Sequence, residues 1–249
     1  MAAVAFLSDV FRPVVDLIYP PRCPLCGSSI ADQTGLCMTC WSELVIPGEP
    51  SCASCSRPLP AELTSETAEC AECLRSPPEH DGISAGTLYN DASRQLILRF
   101  KHGRKIAMSS MLARLILARL PQTDETKLFV PVPLHWSRLW QRGFNQSALL
   151  ARELADLNGG ELLVDGLLRK KRTPALGGLG KTARARVLSG AIVLNPRRRD
   201  ELRGRHVILV DDVLTSGSTS AACVKVLKRA GADRVTIACV ARVLNEAVS

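Results

Sequence analysis

Residues 206–219 constrain the fold more than any other stretch of this chain. An apolar run, Val207-Ile208-Leu209-Val210, ends in two acids, Asp211 and Asp212. Such a run suits a parallel strand buried on both faces. Val213 and Leu214 lead into the small residues Thr215, Ser216, Gly217, Ser218 and Thr219, and a helical spacing of apolar positions begins at Ala221, Ala222, Val224, Val226 and Leu227. Strand, acid pair, small-residue loop and helix make a place for a phosphorylated sugar. Backbone N–H groups of residues 215–219, backed by the positive end of the helix, can surround a phosphate. Carboxylates at the strand's end can accept hydrogen bonds from sugar hydroxyls or help hold a hydrated metal ion. The plainer alternative is a buried strand and a helix, with Asp212 and Ser216 as turn and cap residues. Twin acids before a loop with no bulky side chain argue against it.

A second constraint lies at the other end of the chain. Of ten cysteines, eight form Cys-x2-Cys pairs: Cys23 and Cys26, Cys37 and Cys40, Cys52 and Cys55, Cys70 and Cys73. Each pair aims two thiolates at one point, and two pairs complete a tetrahedral site for a structural Zn²⁺. One or two ions are expected. The first four and the last four cysteines are the simplest ligand sets, with crossed sets left open. The segments Cys23-Pro24-Leu25-Cys26-Gly27 and Cys52-Ala53-Ser54-Cys55-Ser56 read as a weak internal repeat. A module this poor in large apolar side chains cannot bury a sufficient core. A structural zinc contributes on the order of 10 kcal/mol to folding such a unit. Four disulfides and an iron–sulfur cluster are the rival readings of the same cysteines. Cys223 and Cys239 fall in apolar patterns and are expected as buried free thiols.

At 249 residues the chain has room for one α/β domain and a small module. Its net charge of +8 favours anionic partners, phosphorylated substrates or nucleic acid. Aromatics at 4% exclude an extended base-stacking platform. No apolar run approaches the roughly 20 residues of a membrane span, so no integral membrane segment is expected. Residues 1–20 read as an amphipathic helix without the basic start of a signal peptide.

Beyond a polar, proline-bearing boundary at residues 75–82, strands and helices alternate. Strands are expected at residues 83–89, 128–133, 207–210 and 235–240, helices at 91–102, 106–120 and 146–158, and a strand or short amphipathic piece at 162–168. The alternation predicts a mostly parallel sheet flanked by helices, with ligands at the strands' carboxyl ends. The segment from Val132 to Asn145 carries Arg138 and Arg142 before Gly143, which suits a loop closing on a dianionic group. His102 and His135 are expected as loop donors.

These pieces together resemble a known family. Residues 206–219 are similar to the phosphoribosyl-pyrophosphate (PRPP) motif of type I phosphoribosyltransferases, with Ser216 in place of a threonine. The paired cysteines, the Pro131-to-His135 and Arg142-to-Gln146 blocks and the acid motif, in this order, resemble the ComF family, also called GntX or competence-protein-F-like. The resemblance implies a double zinc ribbon at residues 21–76, after the helix at 1–20, and a phosphoribosyltransferase-like domain at 83–249. It implies that Asp211, Asp212 and residues 215–219 bind PRPP with Mg²⁺, and that the segment from Val132 to Asn145 is the pyrophosphate loop. It also implies a link to DNA uptake, hence single-stranded DNA and DNA-uptake proteins as partners of a cytoplasmic protein. Residues 172–190 resemble the family's flexible loop at Arg172, Thr173, Pro174, Gly178, Leu179, Arg184 and Gly190, and depart from it at Leu176, Gly180 and Val187. Those departures count against ordinary catalysis.

The same segment imitates a nucleotide-binding loop at Gly180-Lys181-Thr182, but Ala175 occupies the required glycine position and no buried strand leads in. The basic runs at residues 169–172 and 197–199 are either solvated faces or a nucleic-acid path. The expected chemistry is phosphoribosyl transfer from PRPP to an acceptor the sequence does not name. Lys101, Arg142 and Mg²⁺ neutralise the leaving pyrophosphate while the acids hold the sugar. The rival is a protein that senses PRPP or handles single-stranded nucleic acid without turnover.

Overall fold

The computed structural model describes residues 20–32, 34–63, 65, 67–102, 108–171, 187 and 190–244. The expected N-terminal helix, apart from residue 20, and most of the 172–190 segment lie outside these residues. Among the described residues no helix is long and apolar enough to cross a membrane.

The cysteine-rich part is built twice from one plan. In its first half Arg22 bridges Ser29, Cys23 N–H donates to the Ser28 carbonyl (2.7 Å) and Gly27 N–H to the Cys23 carbonyl (2.9 Å). In its second, Ser51 bridges Pro58, Cys52 N–H donates to the Arg57 carbonyl (2.8 Å) and Ser56 N–H to the Cys52 carbonyl (2.7 Å). The residue after the second cysteine turns into left-handed space in both, at φ 80° for Gly27 and 53° for Ser56. A non-glycine residue there costs about 1 kcal/mol, so the knuckle needs this turn even where serine must make it. Each half closes with a one-turn helix, α1 (Met38–Ser42) and α2 (Ala71–Arg75), capped by Cys37 and Cys70. The weak sequence repeat is a structural repeat.

The rest runs β1 (Ile83–Leu88), α3 (Asp91–His102), α4 (Met108–Leu117), β2 (Leu128–Pro131), α5 (Trp136–Arg142), α6 (Gln146–Asn158), β3 (Glu161–Leu162), β4 (Leu167–Arg169), β5 (Ile192–Leu194), α7 (Arg199–Leu202), β6 (His206–Leu214), α8 (Ser218–Arg229) and β7 (Arg234–Arg242). A five-stranded sheet in the order β1-β7-β6-β2-β3 pairs in parallel throughout. Strands β4 and β5 form a separate antiparallel pair.

Period-two alternation sorts the sheet's side chains into two cores. Phe129, Ile208, Val210, Ala238 and Val240 pack with α3, α4 and α6 on one face. Leu128, Val130, Val207, Leu209, Val235 and Ile237 pack with α8 and the β4–β5 pair on the other. Each fully buried Leu, Ile or Phe contributes roughly 1.5–3 kcal/mol. The two cysteine modules divide between the faces: Cys23, Leu25, Cys40 and Leu44 join the first core, Cys52, Cys55, Cys70 and Cys73 the second. The segment joining them covers the β1 edge, where Leu88 N–H donates to the Val45 carbonyl (2.7 Å) and Asn90 Nδ2 to the Glu43 carbonyl (2.7 Å). The last N–H of this edge strand is thereby met.

Three expectations change. The acids are not beyond the strand but inside it, because β6 continues to Leu214 alongside β7, with Asp211 opposite Cys239. The 162–168 piece splits into β3 and β4, which belong to different sheets. The segment from Val132 to Asn145 is not all loop, since α5 occupies its middle. This helix buries no side chain and is fixed by its ends: His135 Nδ1 accepts from Ser137 N–H (3.3 Å), and Gly143 ends it at φ 82°. His135 Nδ1 is thus a cap acceptor.

Candidate functional site

The carboxyl end of β6 meets residues from two helices. Asp211 Oδ1 accepts from Asp212 N–H (2.9 Å) and from the Ser147 hydroxyl in the first turn of α6 (3.3 Å). Asp212 Oδ2 receives Lys101 Nζ, from the end of α3, at 2.9 Å. Burial, and then the neighbouring Asp212 carboxylate, push the Asp211 carboxyl up to about 7. The two hydrogen bonds and Lys101 pull the other way. Asp211 therefore changes charge near neutral pH, while Asp212 is held by an ammonium.

Past Leu214 the chain bends through Thr215, Ser216 and Gly217, and α8 starts at Ser218. Of the five loop residues, Ser218 and Thr219 thus belong to the first helical turn. Gly217 caps the helix at φ 70°, and among the described residues no side chain caps its first N–H groups. A Cβ at Gly217 would meet only Leu214 Cδ1 at 3.9 Å, so backbone conformation rather than crowding calls for glycine. The Ser216 and Ser218 hydroxyls lie 3.1 Å apart.

At the start of α6 Arg142 donates to Gln146 Oε1 (3.3 Å), and Asn145 joins two elements. Its Oδ1 accepts from Ser147 N–H (3.0 Å), and its Nδ2 donates to the Val132 carbonyl (3.2 Å). Gln146 is buried, and among the described residues its Nε2 has no hydrogen-bond partner. Arg138 lies near enough to Arg169 of β4 to disfavour its charge, after burial, while Asp211 favours it. Of the sequence-derived set, Asp211, Asp212 and Lys101 meet directly, Arg142, Gly143 and Asn145 flank them through Ser147 and Gln146, and Arg172 and Arg184 lie outside the described residues. Ser147 and Arg169 were not among the expected site residues. Alternation was the available sign for Arg169, since it shares the inward side of β4 with buried Leu167.

The cysteines meet in two sets, Cys23, Cys26, Cys37 and Cys40, and Cys52, Cys55, Cys70 and Cys73, whose sulfurs lie within 4.8 Å of one another in each set. Cys26 and Cys37 Sγ are 3.5 Å apart, Cys55 and Cys70 Sγ 3.8 Å. Tetrahedral Zn–S bonds of about 2.3 Å call for such separations. Sequential sets, not crossed ones, fit Zn²⁺. Cys223 and Cys239 are fully buried thiols, as expected. The basic run at residues 197–199 is partly neutralised, because Arg198 pairs with Asp165 and Glu201 at 2.9 Å each.

A parallel α/β sheet with an acid pair at a strand's carboxyl end, joined to paired four-cysteine knuckles, defines a phosphoribosyltransferase-fold protein with a double zinc ribbon. Family profiles agree: one described as a double zinc ribbon domain matches residues 14–74, and one described as a phosphoribosyl transferase domain matches residues 142–248. The chain is 32% identical to the DNA utilization protein YhgH of Escherichia coli K12, over 92% of this chain and all of that protein. It is 32% identical to competence protein F of Haemophilus influenzae, over 87% of this chain and 94% of that one. Among solved structures, the glutamine PRPP amidotransferase of B. subtilis, complexed with ADP and GMP, aligns over 57% of this chain and 30% of its own at 16% identity and a TM-score of 0.38. The chain belongs to the competence protein F, or ComF, family.

Proposed function

We propose that this protein binds PRPP with Mg²⁺ at the carboxyl end of β6 and transfers the phosphoribosyl group to an acceptor. The observation that carries the reading is the acid pair Asp211–Asp212, held by Ser147 and Lys101, at the head of the small-residue turn into α8. In this reading Thr215, Ser216, Gly217, Ser218 and Thr219 receive the 5-phosphate on backbone N–H groups. Asp211 and Asp212 take the ribose hydroxyls. Mg²⁺, a hard cation suited to carboxylate and phosphate oxygens, would sit beside these acids and offset the charge of the departing pyrophosphate. Lys101, Arg138 and Arg142 stabilise the same charge, with Arg172 and Arg184 as further candidates. Gly143 and Asn145 shape the turn that carries Arg142.

In the transfer the bond from the sugar's anomeric carbon to pyrophosphate breaks, and a bond to the acceptor's lone pair forms. The acceptor's proton passes to solvent or to a base on the acceptor's side. Positive charge grows on the sugar as negative charge grows on the leaving group. The protein's part is positioning and electrostatic stabilisation, with no covalent intermediate needed. Residues 21–76 serve as the ribbon unit and 83–249 as the transferase unit, in the cytoplasm, where thiolates stay reduced.

Calorimetry of PRPP with Mg²⁺ tests the binding: the Asp211→Asn, Asp212→Asn variant should lose it and keep its zinc. Unchanged affinity in that variant rules the site out. A screen for PRPP-dependent pyrophosphate release against nucleobases, amines and nucleic acids tests the transfer.

A second reading, handling of single-stranded nucleic acid, has its own observation. Helix α5 turns Trp136 (67% exposed) and Trp140 (84%) outward. Exposed rings can stack on unpaired bases, and the names of the relatives point the same way. A steep loss of DNA affinity with salt would favour it.

A further inference from the structure

Arg242 ends β7 on the last rung of the sheet. On one side it is opposite Leu88 of β1, on the other opposite Leu214 of β6. Its carbonyl accepts from Tyr89 N–H (2.8 Å), and the next N–H, of Val243, donates to the Leu214 carbonyl (2.9 Å). Leu214 is the residue before the Thr215–Gly217 turn. The side chain of Arg242 leaves the sheet in the other direction, and its Nη1 donates to the carbonyl of Cys55.

Arg242 is only 9% exposed, and among the described residues no carboxylate forms an ion pair with it. A buried cation needs a counter-charge. Cys55 belongs to the second four-cysteine set, and Zn²⁺ held by four thiolates is a doubly negative centre. The counter-charge of Arg242 is thus that centre, and the carbonyl it grips is that of a ligand residue. One side chain and one backbone bond join the second sulfur site to the residue that starts the turn into α8.

We infer that Arg242 is a positioning residue that couples zinc at the second cysteine site to ligand binding at the Thr215–Thr219 turn. With the site filled, Cys55 and Arg242 are fixed, and the last rung holds Leu214 and the turn in register. With it empty, Arg242 loses its counter-charge and the rung loosens. Coupling of this kind is reciprocal: a ligand that binds better when zinc is present must retain zinc by the same factor. The inference rests on the proposed PRPP site.

The test uses the full zinc-loaded chain and a chromophoric chelator. Zinc should leave in two phases. The slower belongs to the second site, whose four cysteines are all buried, while Cys26 of the first is exposed. PRPP with Mg²⁺ should slow the slow phase about tenfold, in the usual range of coupling between sites, and leave the fast phase unchanged. Arg242→Gln should abolish that protection and weaken PRPP binding by a similar factor. Arg242→Lys, which keeps the charge, should retain part of both, and Arg75→Gln, exposed on the same ribbon, should retain all. If calorimetry finds PRPP bound while the slow phase is indifferent to it, or if Arg242→Gln and Arg242→Lys both protect as the parent does, the coupling is wrong. If PRPP does not bind the parent at all, the proposed function fails first and the coupling with it.

Discussion

Lys101 Nζ and Asp212 Oδ2 lie 2.9 Å apart, joining the end of α3 to the carboxyl half of β6. Both side chains are mostly buried, so the attraction is screened less than at a surface. The pair gives Asp212 a cation while no ligand is present, and a bound sugar would compete for the same carboxylate. Lys101 then becomes available to the leaving pyrophosphate. Lys101→Met should lower PRPP-dependent turnover about 100-fold, the range for removing one group that stabilises transition-state charge. Zinc content, read by metal analysis, should not change. Turnover equal to the parent's would remove Lys101 from the chemistry.

A pH profile follows from Asp211. In the unfolded chain this carboxyl ionises in the usual carboxylate range, and in the folded protein at about 7. Between those values the folded state binds more protons, so stability should fall as pH rises through that window and level off above it. Binding of PRPP with Mg²⁺ needs the carboxylate, so its affinity should rise over the same interval. Asp212→Asn removes a neighbouring negative charge and should move the midpoint of any residual binding to lower pH. Calorimetry across pH 5–9 reads both effects (about 5 to 9, the span that brackets the shift), and a midpoint that does not move would mean that burial alone, without Asp212, raises it.

Much of this was legible beforehand, for local reasons. The β6-turn-α8 unit announces itself because a buried parallel strand must be apolar throughout, and only two acids interrupt it. The bounds of α6 were readable because Asn145 and Gly159 punctuate it as cap and left-handed stop. Helix α5 was not, because it is two turns long and its apolar residues, Trp136, Leu139 and Trp140, are exposed rather than packed on the sheet. Ser147 and Arg169 were missed because their roles arise from approach in space, α6 and β4 each converging on Asp211. The strand's extension through Asp212 depended on pairing with β7, which local pattern does not contain.

The sulfur geometry predicts two zinc ions per chain. Cys26→Ser should release one ion and leave the sheet folded, because that cysteine is exposed. Cys55→Ser should also release one, but with a larger fall in thermal stability, since its site is buried in the same core as Ile83 and Leu209. Structural zinc contributes folding energy directly. Metal analysis beside thermal melts distinguishes the two. Equal melts would deny the asymmetry.

Gly160 marks a close approach that the fold cannot easily relax. A Cβ there would lie 2.6 Å from Phe129 Cε2 and 2.7 Å from the Lys127 carbonyl oxygen. Phe129 is fully buried, so neither neighbour can move cheaply. Gly160→Ala should destabilise the protein by about 1–3 kcal/mol, the range for overpacking. Chemical denaturation measures this, and a neutral result would place the β2–β3 edge differently.

Asn145 allows two functions of one side chain to be separated. As N-cap of α6 its oxygen accepts from Ser147 N–H, and as a clamp its nitrogen holds the Val132 carbonyl. Asn145→Ala removes both, and should cost about 1–2 kcal/mol from the cap alone. Asn145→Asp keeps the acceptor and loses the donor. It should melt close to the parent, because aspartate caps as well as asparagine. Yet α5 would no longer be tied to the end of β2, and Arg142, in its last turn, would be held less firmly beside Gln146. The aspartate variant should therefore bind PRPP more weakly while remaining stable, whereas the alanine variant should lose stability as well. If the aspartate variant binds as the parent does, the clamp on Val132 contributes nothing to the site, and the placement of Arg142 depends on Gln146 instead.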